Sequence, residues 1–277
     1  MIVREPIVAG TFYNLDKEML KSQIKKCFDH SLGPKKMEKK EFSVAIVPHA
    51  GYSYSGSIAA HVYAQIEKAN YIILGTNHSG MGTMFSLMKE GLWKTPLGEV
   101  EIERGLSEKL TKENSLIEQD VMAHEHEHSI EVQLPFLQYR FGNDFKFIPL
   151  CIMPTIPDTT FLEKCVSIGK TIAEILKKED QKWIVLASSD FTHYEPYEYT
   201  MATDKYLIDS IIKLKEKEFF NRLQEKHASV CGYGAISVAM VIAKELGSKK
   251  GKLLKYANSG DITGDKSSVV GYASITF

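Results

Sequence analysis

The chain has 277 residues, with 34 Lys and Arg against 35 Asp and Glu, so its formal net charge is −1. This balance excludes the basic surplus that binding to nucleic acid or to an anionic membrane requires, and we expect neither partner. Hydrophobic residues make up 44% and charged residues 25%, which is typical of a folded protein and not of a disordered one.

Segments of strand and helix character alternate along the chain. After a charge-rich connector at residues 33–41, the β-branched run at 43–47 predicts a strand buried on both faces. Residues 57–66 predict a helix, because their apolar side chains recur every four positions. Further strands are predicted at 71–74, 145–148, 183–186 and 268–275, and further helices at 161–176 and 234–246. This alternation predicts a single α/β domain over residues 1–277, with a mostly parallel central sheet and helices on both faces.

Polar side chains follow three of the predicted strands. His49 follows the first, His78 follows the second, and Asp190 and His193 follow the strand at 183–186. Ligands of open α/β sheets bind beyond the carboxyl ends of the strands. Neutral imidazole is the commonest metal ligand, and a carboxylate beside it can orient the ring or act as a base. We therefore expect a site at this edge, although any one of these His could instead make a structural hydrogen bond.

One of the four cysteines has a distinctive position. Cys231 precedes the predicted helix at 234–246, where the helix dipole favours a thiolate. A thiolate with two imidazoles suits Zn, Cu or Fe. Cys27, Cys151 and Cys165 lie inside predicted elements, and we expect them to fill the core.

The cellular location follows from the same composition. Four thiols in so long a chain do not predict a disulfide framework, and residues 1–6 lack the apolar stretch of a secretory signal. The apolar stretch at 236–243 is too short to cross a membrane. We therefore expect a cytoplasmic protein.

Residues 124–128, His-Glu-His-Glu-His, match the H-E-x-x-H pattern of zinc hydrolases. The pattern binds zinc only on a helix, where the first and last His share a face. Ser129 is a candidate N-cap for a helical pattern at 130–137, which Pro135 would kink or break. With this cap the run lies in a solvated loop, from which His128 is the residue expected to turn inward. The sequence contains no convincing phosphate-binding loop, so no nucleotide cofactor is expected.

Five blocks in order resemble the signature of the Memo family (mediator of ErbB2-driven cell motility). They are VPHAGYSYSG at 47–56, LGTNH at 74–78, EHSIE at 127–131, SSDFTHY at 188–194 and CG at 231–232, and residues 9–13 also fit. The blocks span almost the whole chain, and its short form resembles a prokaryotic, archaeal-type member. The family is similar in fold to the class III extradiol (LigB-like) dioxygenases, which implies a three-layer α/β/α sandwich.

The resemblance implies a role for each site residue. The metal ligands would be His49, His78 and Cys231, and the metal Fe(II) or Cu, with Zn also open. Asp190 and His193 would be catalytic. The same pocket would include His128, Tyr54 and Phe12, and in animal members it is associated with phosphotyrosine peptides. Phe12 stands where those members have Trp, and Cys231 stands where the dioxygenases have a carboxylate ligand.

Three functions remain open from the sequence. The first is a metal-dependent redox or oxygen-using enzyme in which Asp190 and His193 transfer protons. The second is a non-catalytic module that binds a small anionic molecule or a phosphopeptide in the same pocket. The third, a zinc hydrolase, requires His124 and His128 on one face of a helix. The sequence does not indicate an oligomeric state.

Overall fold

A computed structural model describes residues 2–277, which form twelve strands and ten α-helices. The strands are β1 (Val3–Arg4), β2 (Val44–Val47), β3 (Asn70–Thr76), β4 (Phe85–Leu87), β5 (Leu92–Thr95), β6 (Gly98–Ile102), β7 (Glu118–Gln119), β8 (Lys146–Ile152), β9 (Trp183–Ser188), β10 (His193–Glu195), β11 (Lys252–Asn258) and β12 (Val269–Thr276). The helices are α1 (Lys17–Asp29), α2 (Tyr52–Tyr63), α3 (Arg104–Glu113), α4 (Met122–Glu125), α5 (Leu134–Phe141), α6 (Thr159–Leu176), α7 (Tyr197–Ile212), α8 (Glu216–Lys226), α9 (Tyr233–Glu245) and α10 (Ser259–Thr263).

The strands form one mixed sheet with the order β1-β5-β6-β8-β3-β9-β2-β12-β10. Three short or late strands pair outside this path, with β11 on β12, β4 on β8 and β7 on β4. The centre, from β6 to β2, is parallel throughout. Antiparallel pairs flank it where β5 meets β6 and where β12 meets β2. Most parallel pairs are therefore in the middle of the sheet, and two more lie at its margins, where β1 meets β5 and β4 meets β7.

Helices cover both faces of this sheet. Alternate residues of β2 point to opposite faces, so Val44 and Ile46 belong to a buried cluster with α6 and α9. Ala45 and Val47 belong to a second cluster, with α1, α2 and α5. A strand buried on both faces needs apolar side chains at nearly every position, which explains the unbroken hydrophobic runs of the sequence. The result is a mixed α/β architecture with helix layers on either side of a large sheet.

The strands and helices predicted at the centre of the fold are confirmed as β2, β3, β8, β9, β12, α6 and α9. The helix predicted at 57–66 is displaced, because α2 spans Tyr52–Tyr63. Its first turn looks polar in sequence, but Tyr52 and Ser55 are buried there. Ile66 lies beyond the helix and still packs in the core.

The connector and three of the four cysteines have the structure that the sequence predicts. Residues 33–41 contain no helix or strand, as predicted for the connector. Cys27, Cys151 and Cys165 are buried, which confirms that they fill the core. Within residues 2–277, no helix combines the length and the apolar character that crossing a membrane demands.

Candidate metal centre

The sheet brings the predicted site residues to one edge. Strands β3, β9 and β2 are neighbours and run parallel, so their carboxyl ends lie side by side. His78, Asp190 and His49 each stand two residues beyond the end of one of these strands. Cys231 reaches the same place from the turn before α9.

The donor atoms of His49, His78 and Cys231 form a compact group. They all lie within 4.8 Å of one another, and Nε2 of His49 is 3.2 Å from Sγ of Cys231. Nitrogen and sulfur ligands lie about 2.1 and 2.3 Å from Zn, so two ligands of one ion can be up to roughly 4.4 Å apart. Two imidazoles and one thiol also match the preferences of Zn, Cu and Fe. This group could therefore hold a metal ion after small movements of the side chains.

Hydrogen bonds fix the His49 ring with Nε2 toward the thiol. The Ser188 hydroxyl donates to the carbonyl oxygen of Ser129 at 2.6 Å, so its oxygen is left to accept from Nδ1 of His49 at 3.1 Å. The lone pair of Nε2 then faces Cys231. Burial, and next the neighbouring imidazoles of His128 and His78, lower the pKa of His49. The ring is thus neutral and ready to act as a ligand.

The His78 ring is held by Glu127, which is not among the site residues predicted from the sequence. Nδ1 of His78 donates to the two carboxylate oxygens at 3.0 and 3.1 Å, and the His78 backbone N–H donates at 2.5 Å. Burial alone would lower the pKa of His78 and raise that of Glu127. The hydrogen bonds and the opposite charges of the two groups outweigh it, so the pKa of His78 is raised and that of Glu127 is lowered to about 2. Among residues 2–277, Nε2 of His78 has no hydrogen-bond partner. A carboxylate behind a ligand imidazole is the usual support of a metal-bound His.

A second group of donors, His78, Glu127 and His128, is equally close together. Glu127, however, also accepts the backbone N–H groups of His128 at 2.8 Å and of Ser129 at 2.7 Å. A metal on this carboxylate would compete with all of these bonds. Glu127 is therefore better suited to support His78 than to bind an ion.

The surroundings of Cys231 do not favour a thiolate, so that prediction was wrong. Burial, and then the negative charge of Asp190, raise the pKa of the Cys231 thiol. Helix α9 begins at Tyr233, so Cys231 lies two positions before its first turn, where the effect of the dipole is weak. Sγ does accept a hydrogen bond from the Asp190 backbone N–H at 3.2 Å. A coordinated cation would reverse the balance, since a coordinating thiol loses its proton.

Asp190 and His193 differ in their distance from the donors. Asp190 Oδ1 accepts the backbone N–H of His49 at 2.9 Å, while Oδ2 lies 3.9 Å from Nε2 of that ring. Burial raises the pKa of Asp190 to about 6. His193, half-buried at the start of β10, donates from Nδ1 to the Ser229 carbonyl at 2.7 Å. Asp190 thus adjoins the candidate ligand His49, and His193 lines the same cleft.

A cleft of about 610 Å³ leads to the group and includes most of the predicted pocket residues. The His128 ring stacks on the His78 ring, with the two centroids 4.8 Å apart. It also meets the Phe12 ring edge-on, at a centroid distance of 4.7 Å. Tyr54, 46% exposed, and Tyr194 contribute further aromatic surface. The lining residues comprise Thr11, Phe12, His49, Ala50, Gly51, Tyr54, His78, His128, Asp190, His193, Tyr194, Ser259, Ser268, Val270 and Tyr272.

The histidine run at 124–128 is neither a zinc motif nor a solvated loop. His124 is buried in α4, and its Nε2 donates to the Ser86 carbonyl at 3.1 Å. His128 turns the other way, toward His78 and His49. The two rings therefore have separate surroundings, and the zinc-hydrolase interpretation is rejected. The inward turn of His128 agrees with the prediction, but the burial of His124 and Glu127 does not.

Ser129 does not cap a helix. Its hydroxyl accepts the backbone N–H of Thr76 and donates to the carbonyl oxygen of Thr76, both at 2.9 Å. A 3₁₀ turn at Glu131–Gln133 then leads into α5. Pro135 lies in the first turn of α5, where its missing N–H costs nothing, so it starts the helix instead of breaking it.

A buried ion pair anchors the segment that carries Glu127 and His128. Arg4 donates to Glu131 at 2.7 Å, to the His124 carbonyl at 2.7 Å and to the Glu127 carbonyl at 2.6 Å. Glu131 also accepts the Tyr13 hydroxyl at 2.5 Å. The N-terminal segment thereby fixes the backbone behind the candidate metal centre.

A family model and three curated relatives connect this chain with one family. The model of the Memo-like protein family matches residues 4–276. A MEMO1 family protein of Methanosarcina acetivorans is 44% identical over 276 residues, covering 99% of each chain. One from Sulfolobus acidocaldarius is 44% identical over 288 residues, covering 100% of this chain and 99% of its own. One from Methanothermobacter thermautotrophicus is 38% identical over 283 residues, covering 99% and 100%. All three relatives are archaeal, the type that the sequence resembles.

Proposed function

The chain belongs to the Memo-like family, and we propose that it is a metal-dependent redox or oxygen-using enzyme acting on a small organic molecule. The observation that carries the proposal is the convergence of His49, His78 and Cys231 at the end of an aromatic cleft. Fe(II) or Cu is the proposed metal, with Zn as the third candidate. The fold we propose is the LigB-like sandwich, which the helix layers on both sides of the parallel centre support.

The residues around the donors have separate proposed roles. A bound Fe(II) or Cu would supply a redox centre with a coordination position left open. The Asp190 carboxylate, next to His49, would accept a proton from a substrate group, and His193 would exchange a proton from the cleft wall. Phe12, with His128, would hold the flat face of an organic substrate by ring contacts.

The alternative is a non-catalytic module that binds a small anion or a phosphopeptide in the same cleft. Four histidines line the cleft, which is the observation in its favour. Burial lowers the pKa of His49 and His128, however, so these two rings carry little positive charge at neutral pH. The cleft therefore offers an anion less attraction than the number of imidazoles implies.

The experiment that separates the two proposals is anaerobic loading with Fe(II), Cu(I) or Zn, followed by oxygen-uptake measurements with a panel of small phenols and carboxylic acids. We expect about one ion per chain, and oxygen uptake above the blank for the Fe or Cu form that a chelator abolishes. Calorimetric titration with phosphotyrosine and inorganic phosphate is run in parallel. Binding that survives the chelator, with no oxygen uptake by any form, would favour the module.

Replacement of Glu127 by glutamine is expected to weaken metal binding by roughly 10–100-fold, the usual cost of removing the partner of a metal-bound His. The amide keeps one oxygen for hydrogen bonding but loses the charge that holds Nδ1 of His78 protonated. A competition titration with a chromophoric chelator measures the change. Glu125→Gln is the matched control, because Glu125 belongs to the same run and is exposed. Equal affinities for the two variants would show that Glu127 does not support His78.

A further inference from the structure

One buried tyrosine of the cleft has no hydrogen-bond partner. Tyr272, in β12, is 2% exposed and lines the cleft. Its hydroxyl bonds to no other group of residues 2–277 and is not among their fully enclosed unpartnered atoms, so it belongs to the small part of the residue that remains accessible. Every other buried tyrosine in this range donates its hydroxyl to the protein; these are Tyr13, Tyr52, Tyr63, Tyr71 and Tyr233. Because a buried phenol normally has a partner, we expect that of Tyr272 to come from the cleft.

Packing holds the Tyr272 ring in one place. The ring belongs to a buried cluster with Ile58 of α2 and Ala257 of β11. Ala50 and Val270 pack against this cluster and also line the cleft. A hydroxyl on so constrained a ring loses little conformational freedom when it meets a ligand, so its position can select between ligands.

The charges around the cleft favour an uncharged ligand. No Lys or Arg is among the lining residues, and Asp190 is their only carboxylate. The imidazole of His78 is compensated by Glu127, whose carboxylate lies 3.0 Å from Nδ1. Burial, and then the negative charge of Asp190, raise the pKa of Tyr272, so the phenol keeps its proton and acts as a donor. A carboxylate or phosphate in the cleft would have to leave water without gaining a guanidinium or ammonium partner.

We propose that Tyr272 is a specificity-determining residue, whose hydroxyl donates a hydrogen bond to an oxygen of an uncharged aromatic ligand in the cleft. The ring contacts of the ligand are supplied by Phe12 and His128, which meet edge-on at the cleft. The inference deepens the proposed function and rests on it in taking the cleft as the substrate site.

The test compares two ligands that differ in one oxygen. 4-Fluoroacetophenone carries a carbonyl acceptor, whereas 4-fluoro-α-methylstyrene has the same shape with a methylene group in its place. Their binding to the metal-free full chain, under reducing conditions, is measured by the broadening of the fluorine NMR line. We expect the wild type to bind the ketone about 3–10-fold more tightly than the alkene, the usual value of one hydrogen bond. The anion 4-fluorobenzoate should bind more weakly than the ketone.

Tyr272→Phe removes only the hydroxyl and should abolish the preference for the ketone. Tyr206→Phe is the matched control, because the Tyr206 hydroxyl donates to Glu225 outside the cleft, and this variant should keep the preference. A wild type that bound none of the three probes, bound the benzoate best, or bound ketone and alkene equally would overturn the proposal. A Tyr272→Phe variant that kept the preference would do the same.

A stability measurement separates this role from a structural one. Tyr272→Phe should leave the midpoint of urea unfolding unchanged, whereas Tyr256→Phe should lower it, because the Tyr256 hydroxyl donates to buried Asp204 at 2.8 Å. An equal loss in both variants would assign the Tyr272 hydroxyl to the fold and overturn the proposal. None of these measurements needs a metal or oxygen. If the protein bound no metal, the proposed redox function would fall, and the titrations would still decide the role of Tyr272.

Discussion

Cys231→Ser is expected to lower the affinity of the protein for Fe(II) or Cu by more than about 100-fold, since loss of a supporting partner alone costs 10–100-fold. The serine hydroxyl is a poor replacement for a soft thiolate, and it stays protonated at neutral pH. His49→Ala should have a comparable effect, because Nε2 of His49 lies 3.2 Å from the thiol. Anaerobic competition with a chromophoric chelator measures both affinities.

The matched control for this change is Cys165→Ala. Cys165 is a buried cysteine in α6, within the core cluster and outside the group of donor atoms. The Cys165→Ala variant should retain the wild-type metal affinity. Should Cys231→Ser bind as tightly as Cys165→Ala, the thiol is not a ligand.

Proton release on metal binding is an independent test of whether the Cys231 thiol is a ligand. Because burial raises the pKa of Cys231, its thiol is protonated at neutral pH and must lose that proton to bind a metal. At least about one proton should appear per ion bound by the wild type, because any proton on His78, whose pKa is raised, is displaced in addition to that of the thiol, and the affinity should fall at least about tenfold for each pH unit of acidification. Cys231→Ser should release fewer protons. A pH-indicator dye in weak buffer records the difference.

Arg4→Met is expected to destabilise the protein by about 3–5 kcal/mol, the usual cost of leaving one member of a buried ion pair alone. The side chains of Arg4 and Glu131 are 6% and 0% exposed, so water cannot compensate the abandoned carboxylate. Urea unfolding followed by circular dichroism measures the loss. The metal affinity should fall as well, because Arg4 also holds the Glu127 carbonyl.

Two further variants isolate the cause of this loss. Lys94→Met removes an exposed ion pair with Glu5, and we expect a change within about 1 kcal/mol. The double variant Arg4→Met with Glu131→Gln removes both charges and should recover part of the stability. If Arg4→Met cost no more than Lys94→Met, the buried pair would not be the anchor of this segment.

The centre of the fold could be predicted because its strands are buried on both faces. Their unbroken apolar runs locate β2, β3 and β9, and a polar residue two positions past each strand end marks the site edge. His49, His78 and Asp190 were identified in this way. Strands at the flanks of the sheet have weaker sequence patterns, because β4 has only three residues and β7 only two. Helix α1 is amphipathic and capped by Asp16, a pattern typical of a helix, but it is not among the predicted helices.

The support behind the ligands could not be predicted, because it depends on contacts between distant segments. Glu127 lies in a run that resembles a zinc motif, and nothing local shows that its carboxylate turns toward His78. Ser129 has the composition of a helix cap, yet its partner is Thr76, which lies 53 positions earlier. Local propensity cannot reveal such a partner when tertiary contacts override it. The block at 127–131 was the only available signal, and it came from the family resemblance.

The separation of the ligands along the chain has a consequence for how the protein is made. His49 and Cys231 are 182 positions apart, so they meet only after the strands between them have joined the sheet. Contacts of such long range form late and slowly. If His49, His78 and Cys231 bind an ion as proposed, a nascent chain still short of Cys231 lacks the thiol of this donor group. The complete group would then form only with the late assembly of the sheet, and an ion held by all three donors could not template the early stages of folding.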